Sequence, residues 1–438
     1  MPANLASRCK CFMLACVILF SITTSAQRPN IIYIMTDDMG YADLSAYGRK
    51  EYQTPNIDKL CSQGVKFVNA YAAAPVCTPT RVAFVTGRYP ARHQAGTFEP
   101  LVGGTRDTAY GITPETPTIG TMIKAAGYET ALIGKWHLGF QQNHHPNSNG
   151  FDYFFGIIAG AADYVSHKND ARKKDLYEQR RLIDTTGYIT NMLVDKAVAF
   201  LKTPHAKPFF LSLQFTAPHW PWQGPNDKAY DDTTNFRSGG SLKTYAEMMK
   251  SLDNAVGLVM KTLDDQNLSK NTVVIFTNDN GGEKFSDNGP YSKAKMDLWE
   301  GGIRVPAFIR WPGKIKANSE TKQVAITMDW TATILTLAGA KFNNELDGID
   351  LMPIITGKRD TVQRTLYWRL AQRKQQKAVV DGHWKYLQDE QGEYLFNIVD
   401  DPSEKNNLKD AHPDIFARLK QMHGEWNKGL ATPLPLGR

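Results

Sequence analysis

The sequence predicts an α/β protein: a mostly parallel central sheet flanked by helices, followed by a small C-terminal α+β unit of antiparallel strands and one helix. Three observations carry this prediction. The continuous apolar run at 31–35, I-I-Y-I-M, has the character of a strand buried on both faces. Strand-like and helix-like segments then alternate as far as about residue 277, the pattern of crossover connections between parallel strands. Past Leu351 the rhythm changes to short strand candidates separated by turn residues.

Taken in order, the run at 31–35 leads into Asp37-Asp38. A helix-like 56–63, a strand-like 65–70, a helix opening at Cys77, a helix-like 118–126 and a strand-like 129–133 follow. The alternation continues with helix-like 187–201, strand-like 209–215, helix-like 245–264 and strand-like 272–277. The C-terminal strand candidates are 365–370, 377–380, 384–388 and 394–398, and a helix over 413–428 closes the pattern. The large unit is expected over 27–347 and the small one over 348–438, with the boundary near Gly348.

Residues 1–26 read as a secretory leader. Arg8 and Lys10 precede an apolar run at 11–20, and small residues end at Ser25-Ala26. The run is too short to span a bilayer, and no later stretch is apolar enough, so no stable membrane anchor is expected. A lipoprotein leader would need a cysteine where Gln27 stands. Three of the five cysteines lie in the leader, leaving Cys61 and Cys77. A disulfide framework is therefore not expected, and Cys61 reads as a small buried apolar residue. This pattern suits a periplasmic or secreted bacterial enzyme better than an animal lysosomal one.

The formal net charge is +7, or +5 without Arg8 and Lys10. A mild basic excess assists capture of anionic substrates, although salt screens it. No basic stripe with interleaved aromatics and no nucleic-acid motif occurs, which argues against a nucleic-acid partner. Low-complexity tracts and internal repeats are absent as well.

The most informative segment is Cys77 to Gly87, C-T-P-T-R-V-A-F-V-T-G. Pro79 suits the first turn of a helix, so Cys77 falls at the helix N-terminus, where free N–H groups and the dipole favour an anion. Arg81, one turn on, adds a fixed positive charge. On residues alone this is either a nucleophile built to meet an anionic substrate or a structural cysteine in a proline turn. The segment resembles the C-x-P-x-R…T-G signature of type I sulfatases, members of the alkaline-phosphatase-like superfamily. A second signature of that family, G-Y-x-T-x-x-x-G-K-W-H, is matched by Gly127 to His137. The resemblance implies that Cys77 is oxidised to formylglycine by a maturation enzyme and that the formylglycine hydrate is the nucleophile.

Two strands end in acid-bearing pairs, Asp37-Asp38 and Asp279-Asn280. In a parallel sheet, sites form beyond the carboxyl ends of the strands. Three carboxylates and an amide oxygen make a hard site for Ca²⁺ or Mg²⁺ and a poor one for zinc. Each pair taken singly could equally be a cap or turn acid. The resemblance makes Asp37, Asp38, Asp279 and Asn280 the metal ligands, with residue 77 joining them once its soft sulfur is replaced by oxygen, and it favours Ca²⁺ over Mg²⁺.

The remaining roles also come from the resemblance. It implies that Arg81 and Lys135 contact the nucleophile and the sulfate. Asp279 assists deprotonation of the hydrate, His219 or Lys295 protonates the departing alcohol, and His137 takes a proton when sulfate is expelled. Lys293 is the neighbouring alternative to Lys295. Glu300-Gly301-Gly302 and Arg304 are expected in a structural turn and strand. Trp220 and Trp222 either stack on a sugar ring or pack internally. His144, His145, His167 and Arg172 fall in loops, with no metal spacing and no assigned role. The expected activity is hydrolysis of O-sulfate esters on a carbohydrate, from a sulfated polysaccharide or its oligosaccharides. The alternatives are a phosphodiesterase or phosphonate monoester hydrolase of the same superfamily, or an inactive glycan-binding protein. The relatives behind the first tend to lack the Lys135/His137 pair, and binding alone would not require the nucleophile.

Overall fold

The computed structural model describes residues 28–103, 107–230, 235–342, 346–372 and 374–433. The leader assigned to 1–26 lies outside them. Ten strands form the main sheet in the order Ser319–Thr321, Val65–Phe67, Ala307–Arg310, Thr272–Asn278, Asn30–Thr36, Phe209–Gln214, Glu129–Gly134, Tyr153–Ile157, Leu176–Glu178, Arg181–Leu182. From Thr272–Asn278 to Tyr153–Ile157 every neighbouring pair is parallel. Antiparallel pairing is confined to the flanks: Ala307–Arg310 on one side and the short hairpin of Leu176–Glu178 and Arg181–Leu182 on the other.

Register brings the strand ends level. Met35 is opposite both Thr277 and Gln214, and Gly134 is opposite Gln214. Four adjacent strands therefore release their next residues at one edge of the sheet. Gly134 permits the close approach: its φ is +125°, and a Cβ there would stand 1.7 Å from the Gln214 carbonyl oxygen.

Side chains of the central strand alternate between the two faces. Ile32 and Ile34 pack with residues of the helices Ile189–Lys202 and Leu242–Asp265, including Leu193, Met248 and Val256. Ile31, Tyr33 and Met35 lie in the opposite core with Val82 and Phe84 of the helix Cys77–Thr86 and Trp330 of the helix Thr327–Leu337. Among the described residues, no helix is long and apolar enough to cross a membrane.

Several elements depart from the sequence expectation. The strand expected over 65–70 is two, Val65–Phe67 and Ala70–Tyr71, because the chain leaves the main sheet to pair with Ala325–Ile326. The long helix starts at Leu242, earlier than 245, capped by the Ser241 hydroxyl accepting from the Thr244 N–H at 3.1 Å. The helix Thr327–Leu337 gives no amphipathic signal because it is buried nearly all round. The flanking strands at 153–157, 307–310 and 319–321 are short and were not anticipated. Glu300–Ile303 forms a single helical turn where a turn and strand were expected.

The C-terminal sheet is a four-stranded antiparallel meander of Thr365–Leu370, Gln376–Asp381, Trp384–Gln388 and Glu393–Asn397. One face, with Leu366, Trp368, Val380 and Phe396, packs in a core that includes Cys77, Ala83 and Ile303. The other face, with Val379, Tyr386 and Leu395, meets Leu419 of the closing helix Pro413–Asn427. That helix also buries His423, whose Nε2–H donates to the Trp368 carbonyl at 3.0 Å.

Burial holds His423 down to about 4. Its ordinary value is near 6.5, so between those limits the unfolded chain takes a proton that the folded chain refuses. Stability should therefore fall as pH drops from 6.5 toward 4, by roughly 2–3 kcal/mol from this one residue. In His423→Gln, which keeps a donor for Trp368, urea midpoints at pH 7 and pH 5 should lie closer together than in the wild type; an equal gap would show that His423 does not set the slope.

Candidate active site

Cys77 is the first residue of a ten-residue helix in which every residue is buried. It stands 2 % exposed, with its helix N-terminus at the sheet edge where Asp37, Lys135 and Asp279 emerge. Arg81, one turn further on, donates to Asp279 Oδ2 at 2.9 Å and to Gln214 Oε1 at 3.1 Å, and lies 3.8 Å from Asp37 Oδ2. Lys135 Nζ is 2.6 Å from Asp37 Oδ2. Asp38, whose φ is +60°, turns the other way. Its Oδ2 meets Lys295 Nζ at 2.5 Å and His219 Nε2 at 3.4 Å. Three buried carboxylates, Asp37, Asp38 and Asp279, thus face three buried cations, Arg81, Lys135 and Lys295. Lys293 points elsewhere, with its ammonium 5.8 Å from the centre of the Trp299 ring.

Burial and neighbouring charge set the protonation states. Burial works against charge on Asp38, but the Lys295 ammonium bonded to it holds it below the usual carboxylate range. Burial, reinforced by Asp279, pushes Asp37 up against the pull of Lys135 and Arg81. Burial also opposes the Lys295 charge, yet Asp38 and Glu283 keep that ammonium firmly protonated. His137 and His219 are driven well down by burial and by nearby cations, and both are neutral. Their tautomers follow from their carbonyl partners, which can only accept. His137 Nε2 donates to Leu101 O at 2.8 Å, leaving a lone pair on Nδ1, which has no hydrogen-bond partner among the described residues. His219 Nδ1 donates to Trp220 O at 2.5 Å, so Nε2 of the neutral ring has no proton to give. Burial raises the Cys77 thiol. As a thiol, residue 77 is therefore a protonated, weak nucleophile despite its helix terminus.

Whether these residues suit a divalent cation can be judged from their unmet polar atoms. Among the described residues, Asp37 Oδ1 and Asn280 Oδ1 are buried without a hydrogen-bond partner, and such atoms are rare unless something else meets them. Asn280 Nδ2 donates to Asp38 Oδ1 at 2.8 Å, and Asp279 Oδ1 accepts from the Asp38 N–H at 3.2 Å. The four residues form one oxygen-rich knot that fits a hard cation such as Ca²⁺. His219 Nε2 also lies with Asp37 and Asp38, all within 4.8 Å of one another, but a nitrogen donor is the poorer partner for such an ion.

Cys77, His137, His219 and Lys295 line one wall of a cleft of about 520 Å³. Trp220 lines it too, with the Arg237 guanidinium 4.5 Å from its ring centre. Trp222 instead packs edge-on against Phe285 at 5.0 Å. His144, His145 and His167 are buried and bonded to nearby backbone, away from the cleft. Arg172 is exposed and lies off the cleft wall. Sequence reasoning missed Gln214, which bonds Arg81, and Glu283, 3.5 Å from Lys295. Gln214 is the last but one residue of the strand predicted over 209–215, which was the available signal. Glu283 had none.

Fixed cations and an oxygen-rich knot beside a cleft suit an anionic substrate, and the fold is that of the alkaline-phosphatase-like superfamily. A family model described as Sulfatase matches residues 29–340, and one described as N-sulphoglucosamine sulphohydrolase, C-terminal, matches 288–428. N-acetylgalactosamine-6-sulfatase of Canis lupus familiaris is 33% identical over 374 residues, covering 78% of this chain and 69% of that protein. The Mus musculus enzyme of the same name is 30% identical over 472 residues, covering 93% and 88%. Among solved structures, Ps i-CgsB in complex with k-i-k-neocarrahexaose superposes with a TM-score of 0.82 at 31% identity, covering 93% of this chain and 94% of that one. The chain belongs to the sulfatase family and is a sulfuric ester hydrolase.

Calcium at about 100 times its Kd should raise the unfolding free energy by about 2.7 kcal/mol. In Asp279→Asn, which removes one buried charge from the knot, the gain at the same calcium concentration should be largely lost. Urea unfolding with and without the ion measures both, and a wild type indifferent to millimolar calcium would contradict the assignment.

Proposed function

We propose that this protein is an exported sulfatase, periplasmic or secreted, that hydrolyses O-sulfate esters of a carbohydrate drawn from a sulfated polysaccharide or its oligosaccharides. The observation that carries the reading is Cys77 at a buried helix N-terminus lining the cleft, within electrostatic reach of Lys135, Lys295, Asp37 and Asp279. Relatives named for sugar sulfates, and one solved with a bound neocarrahexaose, support the carbohydrate class. The leader at 1–26 supports export, and the change of rhythm near Gly348 supports a catalytic unit over 27–347 with a smaller unit over 348–438.

Formylglycine made from Cys77 by a maturation enzyme would supply an oxygen nucleophile where the thiol is a poor one. Ca²⁺ held by Asp37, Asp38, Asp279, Asn280 and the modified residue 77 would supply positive charge against the sulfate and the nucleophile. Arg81 and Lys135 brace Asp279 and Asp37 and add charge at the sulfate. Lys295, a charged donor on the cleft wall, stabilises and protonates the departing oxygen as the S–O bond to the sugar breaks. His219 gives a proton there only as imidazolium, so Lys295 is the ready donor of the two. His137, neutral with a free Nδ1 and lining the same cleft as residue 77, would take a proton there when sulfate is released.

Protein made in its native host or with a formylglycine-generating enzyme should release sulfate from one or more of a panel of sulfated mono- and oligosaccharides. Cys77→Ala should lose at least about 10³-fold, as expected for removal of a nucleophile. The tryptic peptide carrying residue 77 should be lighter by about 18 Da in the active protein. Full activity in protein carrying an unmodified thiol would overturn the mechanism, and no release from any sugar sulfate would overturn the substrate class.

A further inference from the structure

Lys295 sits in a loop whose shape is unusual. The backbone is left-handed at both Lys293 (φ +63°) and Met296 (φ +72°), costing about 1–2 kcal/mol each for residues with a side chain. Such a shape persists only where its surroundings impose it. The large unit supplies part of the hold: the Lys295 N–H donates to Gly282 O at 3.1 Å, and the Met296 N–H to Pro75 O at 2.8 Å.

Much of the remaining hold comes from the chain of the C-terminal sheet, on both sides of Lys295. Ahead of it, the Ser403 hydroxyl donates to Pro290 O at 2.8 Å, and the Ser292 hydroxyl donates to Ser403 O at 2.5 Å. Behind it, buried Gln376 accepts from the Leu298 N–H at 2.6 Å and donates to Asp297 Oδ1 at 3.1 Å. Glu404 accepts from the Glu300 N–H at 2.7 Å. A fully buried ammonium, Lys385, then ties Glu300 to Glu404, at 2.8 and 2.7 Å. Glu300 is also held from the large unit, by the Tyr71 hydroxyl at 2.9 Å and by Arg304 at 2.5 Å. Gln376 spends both ends of its amide on this segment.

We propose that the C-terminal sheet is part of the catalytic apparatus, and that Gln376, Ser403 and the Glu300–Lys385–Glu404 network are positioning residues that hold the 290–300 segment so that the Lys295 ammonium lies against Asp38 and the departing oxygen. None of them lines the cleft; they act through the geometry of Lys295. The inference rests on the role given to Lys295 above. A donor displaced by about 1 Å can cost as much as 100-fold in rate, so a remote clasp of this kind has a kinetic reading.

The test uses the mature full-length protein with Gln376→Ala and, as a second and milder lesion, Ser403→Ala. Lys295 position is read without substrate by trace acetylation with acetic anhydride and peptide mass spectrometry. Lys135, equally tied to a carboxylate but outside the clasp, is the internal control. Lys295 labelling should rise about ten-fold in Gln376→Ala while Lys135 changes less than about two-fold, and kcat on a sugar sulfate should fall about ten-fold with KM little changed. In a Lys295→Ala background, Gln376→Ala should cost nothing further, because the residue it positions is gone. Unchanged Lys295 labelling in both variants, labelling that rises equally at Lys135, or a full additional loss in the Lys295→Ala background would each overturn the proposal. Failure of the sulfatase reading is seen separately, as absence of sulfate release from the unmutated mature protein, and the labelling result then decides the clasp by itself.

Discussion

Three carboxylates buried within a few ångströms of one another at the ends of two adjacent strands are the constraint around which the molecule is arranged. Uncompensated, such a group could not stay ionised in a protein interior. Asp37, Asp38 and Asp279 are each met by a buried cation, and each cation is delivered by a different piece of chain. Arg81 comes from the Cys77 helix, Lys135 from the end of a third strand, and Lys295 from a loop that crosses toward the C-terminal sheet. Two acidic oxygen-rich strand ends alone would form a charged fault in the core. Together with their cations they form a neutral cluster that still offers unmet oxygen atoms on Asp37 and Asn280.

The architecture follows from that need. Parallel register makes four strand ends level, so that residues far apart in sequence emerge side by side. The Cys77 helix, buried on all sides, has its N-terminus fixed by packing against the sheet on one side and the C-terminal unit on the other. Histidine tautomers are then set by carbonyls: Leu101 and Trp220 each accept a hydrogen bond from one ring N–H and thereby decide which nitrogen carries the lone pair. On the proposed mechanism His137 would then serve as the base and Lys295, rather than His219, as the donor at the leaving oxygen.

Much of this was legible in the sequence. The apolar run at 31–35 and the alternation after it gave the parallel core, and the acid pairs at two strand ends pointed to a shared oxygen site. The two signatures around Cys77 and Lys135 named the family before any geometry was known. What escaped had physical causes. The helix Thr327–Leu337 carries no polar stripe because it is enclosed, and the flanking strands are too short to show a period. Lys295 was preferred to Lys293 on the resemblance alone; the two left-handed residues that accompany Lys295 against Asp38 and Lys293 against Trp299 are announced by no side-chain pattern. Gln214 and Glu283 are polar residues whose partners lie more than a hundred positions away or in a loop without regular structure, so their roles exist only in three dimensions.

The thiol at residue 77 is the one group that does not match its surroundings, a raised and protonated sulfur among hard oxygen donors and cations. Its conversion to an oxygen nucleophile would remove the mismatch and complete a cation site in one step. A crystal structure of the matured protein grown with calcium, phased to show the anomalous signal of the ion, tests that claim most directly. The account predicts one calcium bound by Asp37, Asp38, Asp279, Asn280 and an oxygen of the modified residue 77. A matured protein with no ion there, or with the ion held by His219 nitrogen in place of Asp279 and Asn280, would contradict it.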